Sequence, residues 1–254
     1  MKIEILGCYG NTVGQYRATS FLINDSVLLD GGTITEVLDD ERLKLIRHIV
    51  ISHTHIDHLK GLFPLIDQLV MMGEYSVELI STHRILDIIT NDLFNDRIWP
   101  DFTAIPSKRS AMMRLREIEI EKPTSIEKLS LRAIPVSHTV ACVGFVVREE
   151  GKGFMFTADT GPTQRFWEIA REERGIEFII ADVSFPNRLS DLARASGHMT
   201  LSILADHLER YGLIDIPIFI THMKPIFLSE ILSELAVMGG LNIKPLAQGS
   251  LITL

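Results

Sequence analysis

The feature that most constrains this sequence is a run of metal-binding residue types within six positions, namely His53, His55, Asp57 and His58. The run directly follows segment 48–51, whose β-branched residues are typical of a strand buried on both faces. It precedes a segment with helical periodicity. In α/β proteins the loops at the carboxyl ends of strands gather into a ligand-binding crevice. We therefore expect the run to lie at such a crevice.

The spacing inside the run predicts two adjacent coordination shells. His53 and His55 stand two residues apart in extended chain and point to the same side, whereas Asp57 and His58 belong to the turn into the next helix and reach a second point. Neutral imidazole and carboxylate suit zinc, manganese or iron. Histidines without such neighbours are interpreted as ordinary surface or core residues: His48, His83 and His207.

The rest of the chain alternates between two hydrophobic periods. Strands are predicted at residues 3–6, 19–23, 27–29, 48–51, 77–80, 129–136, 143–147, 154–157, 178–181 and 218–221. Helices are predicted at residues 33–45, 59–72, 85–94, 163–172, 201–210 and 228–238. This alternation predicts a layered α/β protein with helices packed on sheets. Since no linker or repeat interrupts the sequence, we expect a single domain over residues 1–254.

Composition narrows the function classes. The net charge of −8 argues against binding of long nucleic acid, which depends on clustered Lys and Arg, but it allows a small anionic ligand beside a metal. Cys8 and Cys142 are interpreted as reduced packing residues. We find neither an export signal nor an apolar run of the ~18 residues that would suggest a membrane span. We therefore expect a cytoplasmic protein that is not bound to membranes.

The six-residue pattern HxHxDH, which runs here from His53 to His58, resembles the hallmark of the metallo-β-lactamase superfamily. The resemblance implies an αββα sandwich of two β-sheets flanked by helices. It also implies two divalent metal ions, zinc, manganese or iron, and three more ligands at distant positions. The implied first metal site is His53, His55 and His138, the implied second site is Asp57, His58 and His222, and the implied bridging ligand is Asp159.

Within this superfamily the chain looks most like the class II cyclic-nucleotide phosphodiesterases. Residues His53 to Gly61 match the HxHxDHxxG signature of that group, and segments 93–102, 184–188 and 196–200 are similar to its bacterial members. The resemblance implies hydrolysis of 3',5'-cyclic nucleotides by attack of a metal-activated hydroxide on phosphorus, with Asp57 as a catalytic residue as well as a ligand. The expected partner is a small anionic phosphodiester, and a homodimer stays open.

Asp182 and His198 are similar in order and spacing to a catalytic pair of the RNase Z type of phosphodiesterase. There, an acidic residue at a strand end orients a histidine that protonates the leaving oxygen. That family usually has glutamate where this chain has the shorter Asp182. The structural alternative is that Asp182 caps a local turn while His198 lies on the surface.

Three other functions use the same kind of site. An RNase Z-like ribonuclease would be expected to carry a Gly- and Pro-rich basic arm, which we do not find. Thioesterase or β-lactamase chemistry would give no role to Asp182 and His198. A nucleotide-binding regulator with little turnover would keep the metal site, and Arg97, Trp99 and Phe102 could clamp a base in such a protein or serve only as core and loop anchors.

Overall fold

Contacts within the chain divide it into two units in the computed structural model, which describes residues 1–73 and 76–254. The N-terminal unit consists of Met1–Gly7, Arg17–Glu119 and Gln248–Thr253. The C-terminal unit consists of Cys8–Tyr16 and Ile120–Ala247, with Leu254. The single domain expected over residues 1–254 stays a prediction.

The N-terminal unit is built on a mixed sheet. With strands numbered in chain order, its described members are β1 (Lys2–Gly7), β2 (Ser20–Ile23), β3 (Val27–Leu29), β4 (His48–Val50), β5 (Val77–Ser81), β6 (Met113–Glu117) and β14 (Leu251–Thr253), in the order β14-β1-β2-β3-β4-β5-β6. Strands β1 to β3 pair antiparallel and β3 to β6 pair parallel. The turn from β2 to β3 carries Asn24 and Asp25 at φ +48° and +61°, which suits the twist of a tight hairpin.

Four helices belong to the described part of this unit: α1 (Asp40–Leu43), α2 (Ile56–Leu59), α3 (Leu62–Met72) and α4 (His83–Ile88), the last continuing as a π-helical turn over Ile89–Leu93. Helix α3 buries Leu62, Leu65, Ile66 and Leu69. These positions are three or four residues apart, so they form one apolar face of the helix. The apolar periodicity that predicts a helix at 59–72 therefore corresponds to the buried face of α3.

The helix predicted at residues 33–45 is wrong over most of its length. Only Asp40–Leu43 is helical, because Asp39 is extended and its carboxylate accepts a hydrogen bond from the Arg42 N–H at 3.0 Å. Such an N-cap fixes where a helix begins. Before it, residues 34–38 form turns in which the Val37 and Leu38 N–H groups both donate to the Ile34 carbonyl.

The C-terminal unit has a second mixed sheet. Its described strands are β7 (Pro123–Ile126), β8 (Leu129–Pro135), β9 (Val143–Glu149), β10 (Lys152–Phe156), β11 (Ile176–Asp182), β12 (Ile218–Thr221) and β13 (Ile243–Pro245), in the order β13-β12-β11-β10-β9-β8-β7. Strands β7 to β10 pair antiparallel and β10 to β13 pair parallel. The short strands β6, β7, β13 and β14 were missed in the sequence, since each spans only three to five residues, which is short for a period to stand out.

Helices α5 (Arg165–Glu172), α6 (Ser190–Ala195), α7 (Leu201–Tyr211) and α8 (Leu228–Val237) complete the C-terminal unit. Its core contains Trp167 from α5, Leu204 from α7 and Ile231 from α8, together with Ile179 and Ile220 from the sheet. The Thr200 hydroxyl accepts from the Ile203 N–H at the start of α7. Gly212 ends that helix at φ +67°, a conformation that glycine adopts without strain.

Each unit thus combines a mixed sheet with its own helices, which confirms the predicted α/β class with two β-sheets flanked by helices. Cys8 and Cys142 are buried and form no disulfide. Within residues 1–73 and 76–254, no helix is both long and apolar enough to cross a membrane.

Helix α8 offers a test of which packing stabilises the C-terminal unit. We expect Ile231→Ala, at a fully buried position, to lower the free energy of unfolding by about 2–5 kcal/mol, since it removes buried methyl groups and leaves a cavity. Val237→Ala on the same helix, at a position 85% exposed, should change it by less than about 0.5 kcal/mol. Equal urea unfolding curves for the two variants would contradict the described packing.

Candidate metal centre

Residues His53 to His58 form one cluster in the N-terminal unit, just beyond β4 and at the start of α2. The ring centroid of His53 lies 4.8 Å from that of His55 and 4.2 Å from that of His58. His53 and His58 are fully buried, whereas His55 and Asp57 are half-buried. The run therefore presents three imidazoles and one carboxylate at a strand end, and their role as metal ligands stays a prediction.

A buried carboxylate, Asp30, orients this cluster from the end of the neighbouring strand β3. One of its oxygens accepts from the Ser52 N–H at 2.8 Å, and the other accepts from the Ser52 hydroxyl and from His58 Nδ1, each at 2.8 Å. Because the Ser52 hydroxyl donates to Asp30, its oxygen accepts from His53 Nδ1 at 2.9 Å. Both histidines thus donate through Nδ1. In a neutral imidazole this leaves the free lone pair at Nε2, the atom that could bind a metal.

Sequence reasoning missed Asp30, although a signal for it was present. Asp30 follows the apolar strand β3, in the same way that a carboxylate follows each of two strands later in the chain. Asp30 also precedes a pair of glycines, Gly31 and Gly32. Residues at the carboxyl ends of strands gather at ligand-binding crevices, and this rule, which pointed to the histidines, could have pointed to Asp30 as well.

The last position of the HxHxDHxxG signature also has a structural reason. The Gly61 N–H donates to the Gly31 carbonyl at 2.8 Å. A Cβ at Gly61 would lie 2.7 Å from that carbonyl oxygen, closer than a carbon atom can approach. The glycine therefore lets the turn after the ligand run pack against the loop that follows Asp30.

A second cluster lies in the C-terminal unit, where β10, β11 and β12 end. One ligand-type atom from each of Asp159, Asp182, His198 and His222 lies within 4.8 Å of the others. His222 Nε2 is 3.2 Å from an Asp159 carboxylate oxygen. All four residues are buried. Their carboxylates and imidazoles are therefore shielded from bulk water, and electrostatic interactions between them are stronger than they would be in water.

Asp182 and Ser184 hold the histidines of this cluster. One oxygen of Asp182 accepts from His198 Nδ1 at 2.8 Å, and the other accepts from the Ser184 hydroxyl at 2.6 Å. The same hydroxyl oxygen accepts from His222 Nδ1 at 2.8 Å, which again assigns the lone pair to Nε2. Burial acts to lower the pKa of His198, but the charge and hydrogen bond of Asp182 raise it above the usual histidine value.

His138 follows β8 and is half-buried. Its Nδ1 donates to the Gly197 carbonyl at 2.8 Å, and its ring centroid lies 5.1 Å from that of His198. A Cβ at Gly197 would lie 2.8 Å from His138 Nδ1, so a side chain at this position would displace the imidazole. Gly197 immediately precedes His198, and the same short segment therefore positions both rings.

Left-handed backbone occurs at three of these strand ends. Asp30, Ala158 and His222 adopt φ values of +58°, +52° and +63°, in the left-handed region that non-glycine residues seldom occupy. Each such residue costs on the order of 1–3 kcal/mol and persists only where surrounding contacts hold it. Strain of this kind is typical of functional sites.

The donor set fits divalent metal ions. His53, His58, His138 and His222 each donate through Nδ1 to a serine, carboxylate or carbonyl oxygen of the protein. Metal-binding histidines typically use this arrangement, because it fixes the tautomer and the ring orientation. Carboxylates from Asp57 and Asp159 complement the imidazoles, and such mixed N and O sets suit zinc, manganese or iron.

The remaining histidines have other contacts. His48 lies 3.1 Å from Glu78, His83 lies 2.9 Å from Glu117, and His207 Nδ1 donates to the Ile203 carbonyl at 2.7 Å. None of them joins a metal-ligand cluster in the part of the chain that the structure describes. Their interpretation as ordinary residues agrees with these contacts.

The two aromatic residues suggested as a base clamp, Trp99 and Phe102, differ in burial. Phe102 is buried and packs near Phe94, with 6.2 Å between their ring centroids. It therefore belongs to the core. Trp99 is more exposed and contacts Phe63 edge to face at 5.6 Å.

Comparisons with known sequences agree with this geometry. A family model described as "Beta-lactamase superfamily domain" matches residues 31–223, most of the chain. The chain is 26% identical over 202 residues to a Yersinia pestis protein named "Probable 3',5'-cyclic-nucleotide phosphodiesterase", an alignment that covers 70% of this chain and 57% of that protein. It therefore spans less than two thirds of that relative. A "Ribonuclease Z" from Borrelia hermsii is 25% identical over 256 residues, with 80% of each protein covered.

Solved structures show the same fold. The crystal structure of unliganded yeast PDE1 matches with a TM-score of 0.82 at 18% identity, covering 100% of this chain and 99% of that chain. The short form of human tRNase Z matches with a TM-score of 0.70 at 16% identity, covering 100% and 99%. At these identities the likeness establishes the fold.

Asp30 provides the sharpest test of how the N-terminal ligands are oriented. In Asp30→Asn, the amide replaces one carboxylate oxygen by a donor that faces N–H or O–H groups already donating to this position. We expect the affinity for Zn²⁺ or Mn²⁺ to fall by about 10–100-fold, measured by titration against a chromophoric chelator. Asp25→Asn, at a half-buried aspartate paired with Lys2, is the matched control, and equal metal affinities for both variants would refute the role of Asp30.

Proposed function

Because the chain belongs to the metallo-β-lactamase superfamily, we propose that it is a binuclear metal-dependent phosphodiesterase that hydrolyses 3',5'-cyclic nucleotides. Relatives named as cyclic-nucleotide phosphodiesterases and as ribonuclease Z support a phosphodiester substrate. The net charge of −8 favours a small substrate over long nucleic acid, since binding of a nucleic-acid backbone depends on clustered Lys and Arg.

The proposed ligand sets are those that the family resemblance implies. In this proposal His53, His55 and His138 would hold one metal ion, Asp57, His58 and His222 would hold the other, and Asp159 would be the shared ligand. When bound, the two ions supply Lewis-acid charge for the phosphoryl oxygens and lower the pKa of water towards neutrality. The buried hydrogen bonds of Asp30, Ser52 and Ser184 keep the histidines in the tautomer that this role needs.

The observation that carries the assignment to phosphodiester chemistry is the 2.8 Å contact between Asp182 and His198 Nδ1. A histidine held by a buried carboxylate retains a proton that it can donate from Nε2 to a departing oxygen. Thioesterase or β-lactamase chemistry gives this pair no role. We propose His198 as the proton donor and Asp182 as the residue that positions it.

Aspartate in place of the usual glutamate is compatible with this role. The shorter side chain of Asp182 reaches His198 directly at 2.8 Å, and its oxygens also accept from the Ser184 hydroxyl and the Thr160 N–H. Asp182 therefore has the reach to orient an imidazole while its other contacts hold the carboxylate in place.

A second candidate is an RNase Z-like ribonuclease. It is favoured by the alignment to the Borrelia hermsii ribonuclease Z, which covers 80% of both proteins. The alignments to the two relatives named as cyclic-nucleotide phosphodiesterases cover smaller shares of both proteins. The same catalytic residues would serve it, and only the substrate would differ. A nucleotide-binding regulator would bind the same ligands without turnover.

A substrate panel tests the proposed function. Protein of measured metal content, supplied with Mn²⁺ or Zn²⁺, should hydrolyse cyclic mononucleotides faster than cyclic dinucleotides or short RNA, and should also turn over bis-p-nitrophenyl phosphate. Asp159→Ala should lose activity together with bound metal, because a bridging ligand is removed. Preferred cleavage of RNA would establish the second candidate, tight binding without hydrolysis would establish the regulator, and an active metal-free Asp159→Ala variant would overturn the metal site.

Leaving-group dependence tests His198. We expect His198→Ala to slow hydrolysis of a cyclic nucleotide by about 10²–10⁴-fold, since its alkoxide leaving group needs a proton. Hydrolysis of bis-p-nitrophenyl phosphate should fall much less, because p-nitrophenolate leaves without protonation. His83→Ala, at an exposed position, is the matched control. Equal losses on both substrates, or no loss on either, would show that His198 is not the proton donor.

A further inference from the structure

A cavity of about 520 Å³ lies in the C-terminal unit beside His222. Two segments enclose it: the loop from Gly10 to Tyr16, and the turn that begins at Lys224 and includes Ile226. The volume falls within the ~300–1,000 Å³ that is usual for small-molecule sites. None of the candidate metal ligands lines it, so the metal centre alone leaves this cavity without a role.

Backbone hydrogen bonds hold the cavity in place next to His222. The His222 N–H donates to the Cys8 carbonyl at 2.8 Å, and the Gly10 N–H donates to the Met223 carbonyl at 3.2 Å. A Cβ at Gly10 would lie 2.9 Å from the His222 ring, which shows how closely the loop passes the imidazole. Val13 and Tyr16 exchange two further backbone hydrogen bonds at 3.2 and 3.0 Å. The wall of the cavity is therefore pre-formed.

Lys224 brings a positive charge to this cavity. Its side chain is half-buried, and within residues 1–73 and 76–254 no carboxylate pairs with its ammonium group. The ammonium lies 5.5 Å from the centre of the Phe185 ring, and that ring is 5.8 Å from His198. Since partial burial of an unpaired charge costs free energy, an anionic group of a ligand would be stabilised at this position.

The opposite part of the cavity is apolar. Val13 and Ile226 are 54% and 82% exposed, which is costly for aliphatic side chains unless a ligand covers them. The Tyr16 ring is held edge to face against Tyr9, with 4.8 Å between their centroids, and it supplies an aromatic surface. Asn11, at the exposed edge, offers an amide that can both donate and accept hydrogen bonds.

We propose that this cavity binds the nucleoside part of a mononucleotide substrate, with the base between Val13, Tyr16 and Ile226 and the phosphate near Lys224. The inference rests on the proposed phosphodiesterase function and adds the part of the substrate that distinguishes a nucleotide from other phosphodiesters. A flat, largely apolar base with a polar edge matches these walls, and a phosphate matches the ammonium group. Val13, Tyr16 and Ile226 are then specificity residues, and Lys224 is a phosphate-binding residue.

Direct binding tests this assignment without depending on turnover. Calorimetry on the full chain, both metal-loaded and EDTA-treated, should compare adenosine and guanosine 5'-monophosphate with ribose 5-phosphate. We expect one nucleotide to bind at least about 10-fold tighter than ribose 5-phosphate, a ratio that corresponds to about 1.4 kcal/mol. Tyr16→Ala and Ile226→Ser should bring that ratio close to one, whereas Lys224→Gln should weaken all three ligands by a similar factor and preserve the ratio.

Val237→Ser is the matched control, since it removes another aliphatic side chain that is 85% exposed and lies outside the cavity, and its ratio should equal that of the unchanged protein. Equal binding of nucleotides and ribose 5-phosphate would overturn the inference, as would a nucleotide preference that survives both Tyr16→Ala and Ile226→Ser. If bis-p-nitrophenyl phosphate is hydrolysed while the preference is missing, the cavity assignment fails and the phosphodiesterase stands. If the nucleotide preference is present but no phosphodiester is hydrolysed, the cavity assignment stands and the phosphodiesterase proposal fails.

Discussion

The candidate site depends on one interaction made twice: a buried aspartate at a strand end accepts a hydrogen bond from a serine whose oxygen accepts from a histidine. Asp30 holds Ser52 and His58 in the N-terminal unit, and Asp182 holds Ser184 and His198 in the C-terminal unit. A buried carboxylate is costly unless several donors surround it. Here the donors are the groups that must be oriented, so satisfying the carboxylate and directing Nε2 of each histidine are the same requirement.

The fold makes this interaction possible by ending parallel strands side by side. Strands β3 and β4 pair in parallel, as do β10, β11 and β12, so residues that follow them emerge at one edge of each sheet. The left-handed backbone at Asp30, Ala158 and His222 turns the chain sharply at that edge. Such strain is sustained only because buried hydrogen bonds and close packing hold each residue in place.

This rigidity has a chemical consequence. Electrostatic stabilisation is effective when dipoles and charges are already oriented before the reaction begins. Five imidazoles are held by contacts of 2.8 or 2.9 Å at Nδ1, those of His53, His58, His138, His198 and His222. In the proposed function the ligand histidines need only hold their positions, whereas His198 must also transfer a proton. His198 combines a raised pKa with a direct carboxylate partner, Asp182.

Local patterns in the sequence were enough to predict the α/β class, the residue types of the candidate site and their placement after apolar strands, because period-two burial and strand-end polar residues are local signals. They misplaced the helix at 33–45, whose start depends on the Asp39 cap, and they missed four strands of three to five residues. The hydrogen bonds from Ser52 and His58 to Asp30, which lies 22 and 28 positions away, and the cavity that residues 10–16 form with Lys224 became evident only in the folded chain. Such contacts follow from strand pairing and loop docking, which no local pattern encodes.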